Sequence, residues 1–289
     1  MKGVILAAGY GTRFLPASKT IPKEMFPLID TPVIEMIIQE FEEAGIHDIL
    51  VVTSRRKKPL EDYFDREVEL ETTFNNEGKS ENLRLIDPLE LHTFFIRQKH
   101  MAGTGDALLL TEPFVGNSPF VVAYPDDLLI NGPSLTGQLM ETYRKTGRSV
   151  LAVQEIPNGD ISRYGVVDTH QVDDLELVRS MVEKPPTGTE PSRLVSFGRY
   201  LYTPEIFKAL HEARELFHGN EGEFTQTVAL NHLSTQGRVT IRRIQGKMLD
   251  VGARFGYLQA VIETGLSRKE FRQDLMDWMR LRLEEESKR

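Results

Sequence analysis

The sequence predicts an α/β protein built on a mixed, mostly parallel sheet flanked by helices. Three observations carry that expectation. Short apolar runs bounded by turn residues recur along the chain, helical patterns fall between them, and 289 residues are enough to bury a substantial core. Strands alternating with helices imply right-handed βαβ units with helices on both faces, a Rossmann-like arrangement.

Taken in order, strands are expected at Gly3–Ala7, Ile49–Thr53, Thr93–Arg97, Phe120–Tyr124, Ser149–Glu155, Leu177–Glu183, Val195–Tyr202 and Val239–Gln245, each an apolar, β-branched or aromatic run. Helices are expected over Val33–Ala44, where Ile34, Ile37, Ile38 and Phe41 share a face, and over Leu135–Lys145, Pro204–Leu216 and Phe255–Glu286. The strand pair around Gly165–Val182 and the stretch Val195–Tyr202 break the βαβ rhythm and predict a small antiparallel insertion at about 160–202. Glu67–Asn82 is charged and aperiodic and reads as a mobile excursion. The division expected is a single domain over 1–254 and a C-terminal helical arm over 255–289, whose spaced Phe255, Leu258, Ile262, Leu266, Phe271, Leu275, Trp278 and Leu281 suit packing or a subunit contact, hence a homodimer or homotetramer.

A net charge of −8 argues against a general nucleic-acid binder, since a phosphate polymer calls for a broad basic surface. The absence of cysteine excludes disulfides, thiolate metal sites and a cysteine nucleophile. Gly9, Gly11, Arg13 and Pro16 interrupt the apolar start before a signal region or a membrane span of roughly 18 residues forms, so a cytoplasmic enzyme with no membrane partner is expected. The seven histidines show no paired ligand spacing and read as structural.

Against that acidic background the stretch LAAGYGTRFLPASKTIPKEMFPL is glycine-rich and basic. It follows the first strand, the favoured ligand position of an open α/β sheet. Ala7, Ala8, Gly9 and Gly11 are small enough for phosphates or a base to lie against bare backbone, and Arg13, Lys19 and Lys23 add positive charge nearby. Lys19 suits a phosphate contact or a surface position equally. A P-loop requires Gly-x-x-x-x-Gly-Lys-Ser/Thr, which is absent, and a dinucleotide fingerprint fails because Phe14 stands at the third glycine and Pro16 where a helix should run.

The pattern Gly-x-Gly-Thr-Arg…Pro-Lys resembles the signature of the sugar-nucleotide pyrophosphorylases, and within them the bacterial UTP–glucose-1-phosphate uridylyltransferases. The resemblance runs from Lys2 to about Gly265 and implies a nucleotide-diphospho-sugar transferase fold. It also implies a reaction of UTP with glucose 1-phosphate that gives UDP-glucose and pyrophosphate, with Mg²⁺ as cofactor. By position it implies uracil recognition at Gln98 and Gly103 in RQKHMAGTGDALLL, a metal ligand at Asp126 in YPDDLLI and a second at Asp250 in MLDVGARFGY. Alone, Asp250 reads as a helix cap, and Gln98 to Asp106 as a loop capping a helix. Asp127 is expected to support Asp126 or face solvent. RYGVVD and MVEKP resemble the sugar-site strands, which assigns Gly165 and Glu183 to glucose and Lys184 to the sugar phosphate, whereas a bare Glu–Lys pair reads as a solvated ion pair. Arg13, Lys23 and Lys184 are the implied catalytic contacts. GEFTQTVAL departs from the family's Glu-Ile-Gln-Leu-Thr-Asp, with Val228 where Asp is usual. A dTTP- or other-hexose nucleotidyltransferase, or a catalytically silent nucleotide-binding regulatory protein, are the alternatives.

Overall fold

The structure, a computed structural model, describes residues 1–87, 89–218 and 222–288. Pro88 and, at the end of the expected arm, Arg289 lie outside the described residues. Among those residues nine strands join one sheet. In chain order they are β1 (Lys2–Leu6), β2 (Asp48–Thr53), β3 (His92–Arg97), β4 (Phe120–Ala123), β5 (Ser149–Glu155), β6 (Gly165–Val172), β7 (Leu175–Glu183), β8 (Leu194–Tyr202) and β9 (Val239–Arg243). Their spatial order is β3-β2-β1-β4-β8-β5-β9-β7-β6.

Strands β1 to β4 are mutually parallel where they pair, and β5 pairs β9 in parallel. The remaining contacts are antiparallel, so the sheet is mixed and its parallel character is confined to those two blocks. The reason is β8. It was expected within a small insertion; instead it runs through the middle of the sheet, antiparallel to β4 on one side and to β5 on the other. Every residue of β8 is buried, so its sequence shows no period-two alternation.

Helices cover both faces. Alternate strand residues divide between two cores: Ile5, Val121 and Val150 pack with helices Val33–Glu43 and Leu135–Thr146, while Val4, Val122 and Leu151 pack with Glu205–Leu216 and Thr227–Thr235. The Val33–Glu43 helix buries Ile34, Ile37, Ile38 and Phe41, the stripe its spacing predicts. It fits closely because Gly3 has no Cβ; one there would lie 2.6 Å from the Phe41 ring. The Leu135–Thr146 helix is capped by Ser134, whose Oγ accepts from the Gly137 N–H at 3.2 Å, and it ends at Gly147 with φ 63°.

Two expectations about helices are corrected. The predicted excursion contains helices Val68–Glu77 and Ser80–Leu85, neither of which buries a residue, so no apolar stripe announced them. The predicted single helix over Phe255–Glu286 is two, Arg254–Ser267 and Lys269–Glu286, broken at Arg268 (φ −85°, ψ 125°), whose Nη1 donates to Asp30 Oδ2 at 2.6 Å. Among the described residues no helix is long and apolar enough to cross a membrane.

Candidate active site

The carboxyl ends of the parallel strands β1, β3 and β4 lie on one edge of the sheet, which brings together the segments that begin at Ala7, Gln98 and Tyr124. Leaving β1, the Ala7 N–H still bonds the Val52 carbonyl at 2.9 Å, so Ala7 closes the strand and is buried. Gly11 then takes φ 67°, and three one-turn helices follow at Thr12–Phe14, Ala17–Lys19 and Lys23–Met25, kept short by Pro16 and Pro22. Edge-on contacts of Phe14 with Phe26 and Tyr257, and a 2.6 Å bond from Arg254 Nε to the Arg13 carbonyl, tie this loop to the Arg254–Ser267 helix.

At the loop's end Lys23 Nζ sits 2.5 Å from Asp126 Oδ2. Burial pulls the Lys23 ammonium down, but Asp126, Glu24 and Asp127 outweigh it and hold the group above the usual lysine range. Burial likewise pushes Asp126 up, and the Lys23 charge and hydrogen bond overcome that and hold it low. Behind them Lys57 and Glu24 form a buried ion pair at 2.6 Å. There burial is the larger effect, and Lys57 lies below the ordinary lysine range.

Asp126 stands in the turn between β4 and a short strand, Asp127–Ile130, which pairs antiparallel with Lys247–Asp250. That register sets Asp127 opposite Asp250, and the Val251 N–H donates to the Asp126 carbonyl at 2.8 Å. Gly252 permits the approach, since a Cβ there would lie 2.5 Å from Asp126 Oδ2. Asp250 accepts from the Gly252 N–H at 3.0 Å and from the Tyr164 hydroxyl at 3.4 Å, with the Arg163 guanidinium 3.9 Å away. Asp127 accepts from the Gly198 N–H at 2.8 Å, and its carboxyl is pushed up to about 7 by burial and by the Asp126 and Asp250 charges.

Three cavities meet at Asp126. One of about 250 Å³ is lined by Ala8, Gly9, Lys23, Gln98, Gly103 and Tyr124 among others. A second, of about 230 Å³, includes Arg13, Asp127, Glu183, Lys184, Tyr200 and Asp250. A third, of about 200 Å³, lies between Gly11, Arg13, Lys23 and Gly252. The structure therefore brings together Ala8, Gly9, Gly11, Arg13, Lys23, Gln98, Gly103, Asp126, Glu183, Lys184 and Asp250. Ala7 lies beneath them in the strand.

Gly165 faces Glu183 in the β6–β7 pair and does not line the cavity; a Cβ there would meet Met181 Cε at 2.5 Å and Glu183 Oε2 at 3.3 Å. Its β6 end also touches β8 at Ser196, which carries the hairpin to the central strand. Lys184 turns off β7 with φ 48°, its N–H on the Tyr164 carbonyl at 3.0 Å and its Nζ 3.4 Å from Glu183 Oε1. Gln98 is buried, and its Nε2 donates to the Gly103 carbonyl at 3.1 Å and to Asp106 Oδ2 at 3.2 Å. On the Cβ side of Gly103 and Gly105 the space is taken by Phe224: a Cβ on Gly103 would lie 2.3 Å from the Phe224 carbonyl oxygen and one on Gly105 2.8 Å from its ring. Lys19 ends the second one-turn helix, and its carbonyl accepts from Arg56 Nη2 at 3.1 Å.

The sequence profile of the nucleotidyl transferase family matches residues 2–264. The chain belongs to that family. This nucleotidyltransferase is 41% identical over 280 residues to a UTP–glucose-1-phosphate uridylyltransferase of Staphylococcus epidermidis, covering 95% of each chain. It is 43% identical over 287 residues to one of Streptococcus pyogenes, covering 96% of this chain and 93% of that one. Among solved structures, a UDP-glucose pyrophosphorylase from Acinetobacter baumannii superposes with a TM-score of 0.84 at 35% identity over 98% of each chain. A UDP-glucose pyrophosphorylase complexed with UDP-glucose gives 0.80 at 37% identity, over 92% of this nucleotidyltransferase and 99% of that chain.

The donor set at Asp126 and Asp250 fits a hard divalent cation: it is all oxygen, it leaves a third carboxyl, Asp127, under like-charge pressure, and a lysine ammonium already sits on one carboxylate. Among the described residues no three His, Cys, Asp or Glu side chains are placed to hold a metal by themselves. A cation there depends on ligand oxygens as well, the usual arrangement for Mg²⁺ with phosphates. Sequence reasoning missed Tyr124, Tyr164, Tyr200 and Gln226 as lining residues of the nucleotidyltransferase site. Tyr200 stands in a strand with no motif around it, whereas Tyr124, Tyr164 and Gln226 lie inside YPDDLLI, RYGVVD and GEFTQTVAL, where neighbouring residues carried the assignment. Val228, the position of concern in GEFTQTVAL, is 52% exposed and lines neither large cavity.

Proposed function

We propose that this nucleotidyltransferase joins UTP to glucose 1-phosphate, giving UDP-glucose and pyrophosphate. The observation that carries the proposal is Asp126, with Lys23 on it, at the junction of three cavities. Two reactants and a departing group need three spaces around one reacting centre. Identities of 41% and 43% to uridylyltransferases over nearly the whole chain support the choice of substrates.

In this reading a sugar-phosphate oxygen attacks the α-phosphorus of UTP in line. The bond from that phosphorus to the oxygen bridging it to the β-phosphorus breaks, and pyrophosphate leaves with the electron pair. A phosphate monoester is largely ionised at neutral pH, so no general base is needed and catalysis rests on positioning and charge. The Gly9 and Gly11 backbone, with Ala8 beside it, meets the nucleotide, and Ala7 anchors the loop to the sheet. The Gln98 amide is oriented by two groups that only accept, the Gly103 carbonyl and the Asp106 carboxylate. Its carbonyl oxygen is thereby left to accept from a donor such as the N3–H of uracil. Arg13, beside the smallest cavity, neutralises the leaving pyrophosphate. Lys23 and Lys184 hold the two reactants from opposite sides of Asp126. Glu183 accepts from glucose hydroxyls, and Gly165 sets its place. Mg²⁺, held by Asp126 and Asp250, would neutralise charge on the phosphate oxygens. We place the enzyme in the cytoplasm as a homodimer or homotetramer, the contact being made by the Arg254–Ser267 and Lys269–Glu286 helices.

The test scores pyrophosphate release for UTP and dTTP against glucose 1-phosphate and galactose 1-phosphate, with Mg²⁺ and with a chelator. UTP with glucose 1-phosphate and Mg²⁺ is expected to be fastest. Preference for dTTP or galactose 1-phosphate would reassign the substrates, and UTP binding without turnover on any pair would sink the proposal.

A further inference from the structure

The wall of the second cavity holds a buried acceptor with nothing to accept. Gln226 is 2% exposed and lines that cavity with Glu183, Tyr200 and Asp250. Its side-chain carbonyl oxygen, Oε1, is shielded from water and has no hydrogen-bond partner. A buried acceptor without a donor is costly, and buried polar groups are rarely left unpaired.

The residue is also firmly placed. Its N–H donates to Thr104 Oγ1 at 3.2 Å, and its carbonyl accepts from the Leu230 N–H at 3.0 Å as the Thr227–Thr235 helix begins. Two residues before it, Phe224 exchanges backbone bonds with the glycine loop, its N–H to the Ala102 carbonyl at 2.8 Å and its carbonyl from the Gly105 N–H at 2.9 Å. The Gln226 backbone is thus fixed from both sides.

The chemistry of the missing partner follows from what the reactants carry. Asp127, Glu183 and Asp250, which share the cavity, are carboxyl groups that act chiefly as acceptors; among its donors, Lys184 Nζ lies 3.4 Å from Glu183 Oε1, Arg163 Nη2 donates to the Tyr164 hydroxyl at 2.7 Å, and neither these nor the Tyr200 hydroxyl bonds Gln226 Oε1. Phosphate oxygens near neutral pH are acceptors as well. A sugar ring brings several O–H donors into the same space. We propose that Gln226 Oε1 accepts a hydrogen bond from one ring hydroxyl of the sugar phosphate and is a specificity-determining residue for the hexose. The inference rests on the assignment of this cavity to the sugar phosphate.

The experiment measures kcat/KM by pyrophosphate release at saturating UTP, for wild type, Gln226→Met and Gln226→Glu. The substrates are glucose 1-phosphate and its 2-, 3-, 4- and 6-deoxy analogues. Methionine keeps the length without the strong acceptor, and glutamate keeps the acceptor. The expected result is a loss of about 5- to 100-fold for Gln226→Met on glucose 1-phosphate, the cost of leaving one buried hydroxyl donor without its acceptor, with the KM for UTP unchanged. That loss disappears for one deoxy analogue, the one lacking the bonded hydroxyl, and persists for the others. Gln226→Glu recovers most of the activity on glucose 1-phosphate. An equal loss on all five substrates, or no loss on glucose 1-phosphate, overturns the role of Gln226 while leaving the reaction in place. Failure of the wild type on every hexose phosphate overturns the reaction assignment and this inference with it.

Discussion

Lys23 and Asp126 each hold the other in its charged form, one from the loop after β1 and one from the end of β4. Asp126→Asn removes that charge with little change in volume. It is expected to abolish Mg²⁺-dependent pyrophosphate release while the circular dichroism spectrum stays native; normal turnover in the variant would remove Asp126 from the chemistry. Arg13→Ala should lower kcat by about 10²- to 10³-fold, the worth of one preorganised contact to developing charge, and an unchanged kcat would make the loop purely structural. Behind Asp127, whose carbonyl accepts from its Nη2 at 3.4 Å, Arg199 is fully buried in β8 and paired bidentately with Glu40, at 3.0 and 2.9 Å. Glu40→Ala leaves that guanidinium uncompensated and should destabilise the protein by about 3–5 kcal/mol in urea unfolding; a loss under 1 kcal/mol would show that water reaches Arg199. At this scale the sequence was most informative where a motif has a chemical reason. Arg13 and Lys23 stand out because neither a turn nor a core needs them there, and Asp126 stands out by its place in a family motif. Gln226 and Tyr200 do not, because a Gln in a turn and a Tyr in a strand are commonplace until the fold gathers them around one space.

Elements were legible in proportion to the apolar surface they bury. The Val33–Glu43 helix and strands such as β5 show in the letters because their patterns are core patterns. Helices Val68–Glu77 and Ser80–Leu85 bury nothing, and the four-residue strands Asp127–Ile130 and Lys247–Asp250 are too short for a period, although their pairing is what sets Asp127 against Asp250. The break at Arg268 was hidden because apolar spacing continues across it. The glycine loop from Gln98 to Asp106 is an element whose test is steric. In Gly103→Ala the new methyl meets the Phe224 carbonyl at 2.3 Å at a φ of 117°, so the loop must move. A lowered melting temperature and a raised KM for UTP are expected. Wild-type values for both would show that the 98–106 and 224 segments are not locked together.

At the scale of the molecule, Phe255, Leu258, Trp278, Leu281 and Leu283 stay exposed on the last two helices, with Trp278 at 58%. Scattered apolar residues need no explanation, but several along one helix pair favour a contact with a second copy. Sedimentation should give a dimer or tetramer, and Trp278→Glu with Leu281→Glu should shift it toward monomer; a monomeric wild type would show these residues to be ordinary surface. The position of β8 has a further consequence, in the order of synthesis. The β1–β4 block and the β5–β9 block have no strand pairing in common except through residues 194–202. A growing chain can lay down its first four strands early, but it cannot unite them with the fifth until some two-thirds of its length has emerged from the ribosome. Until then the edge of β4 that will receive β8 stands open, and a nascent chain in that interval exposes an unpaired, apolar strand edge of the kind that recruits chaperones or aggregates.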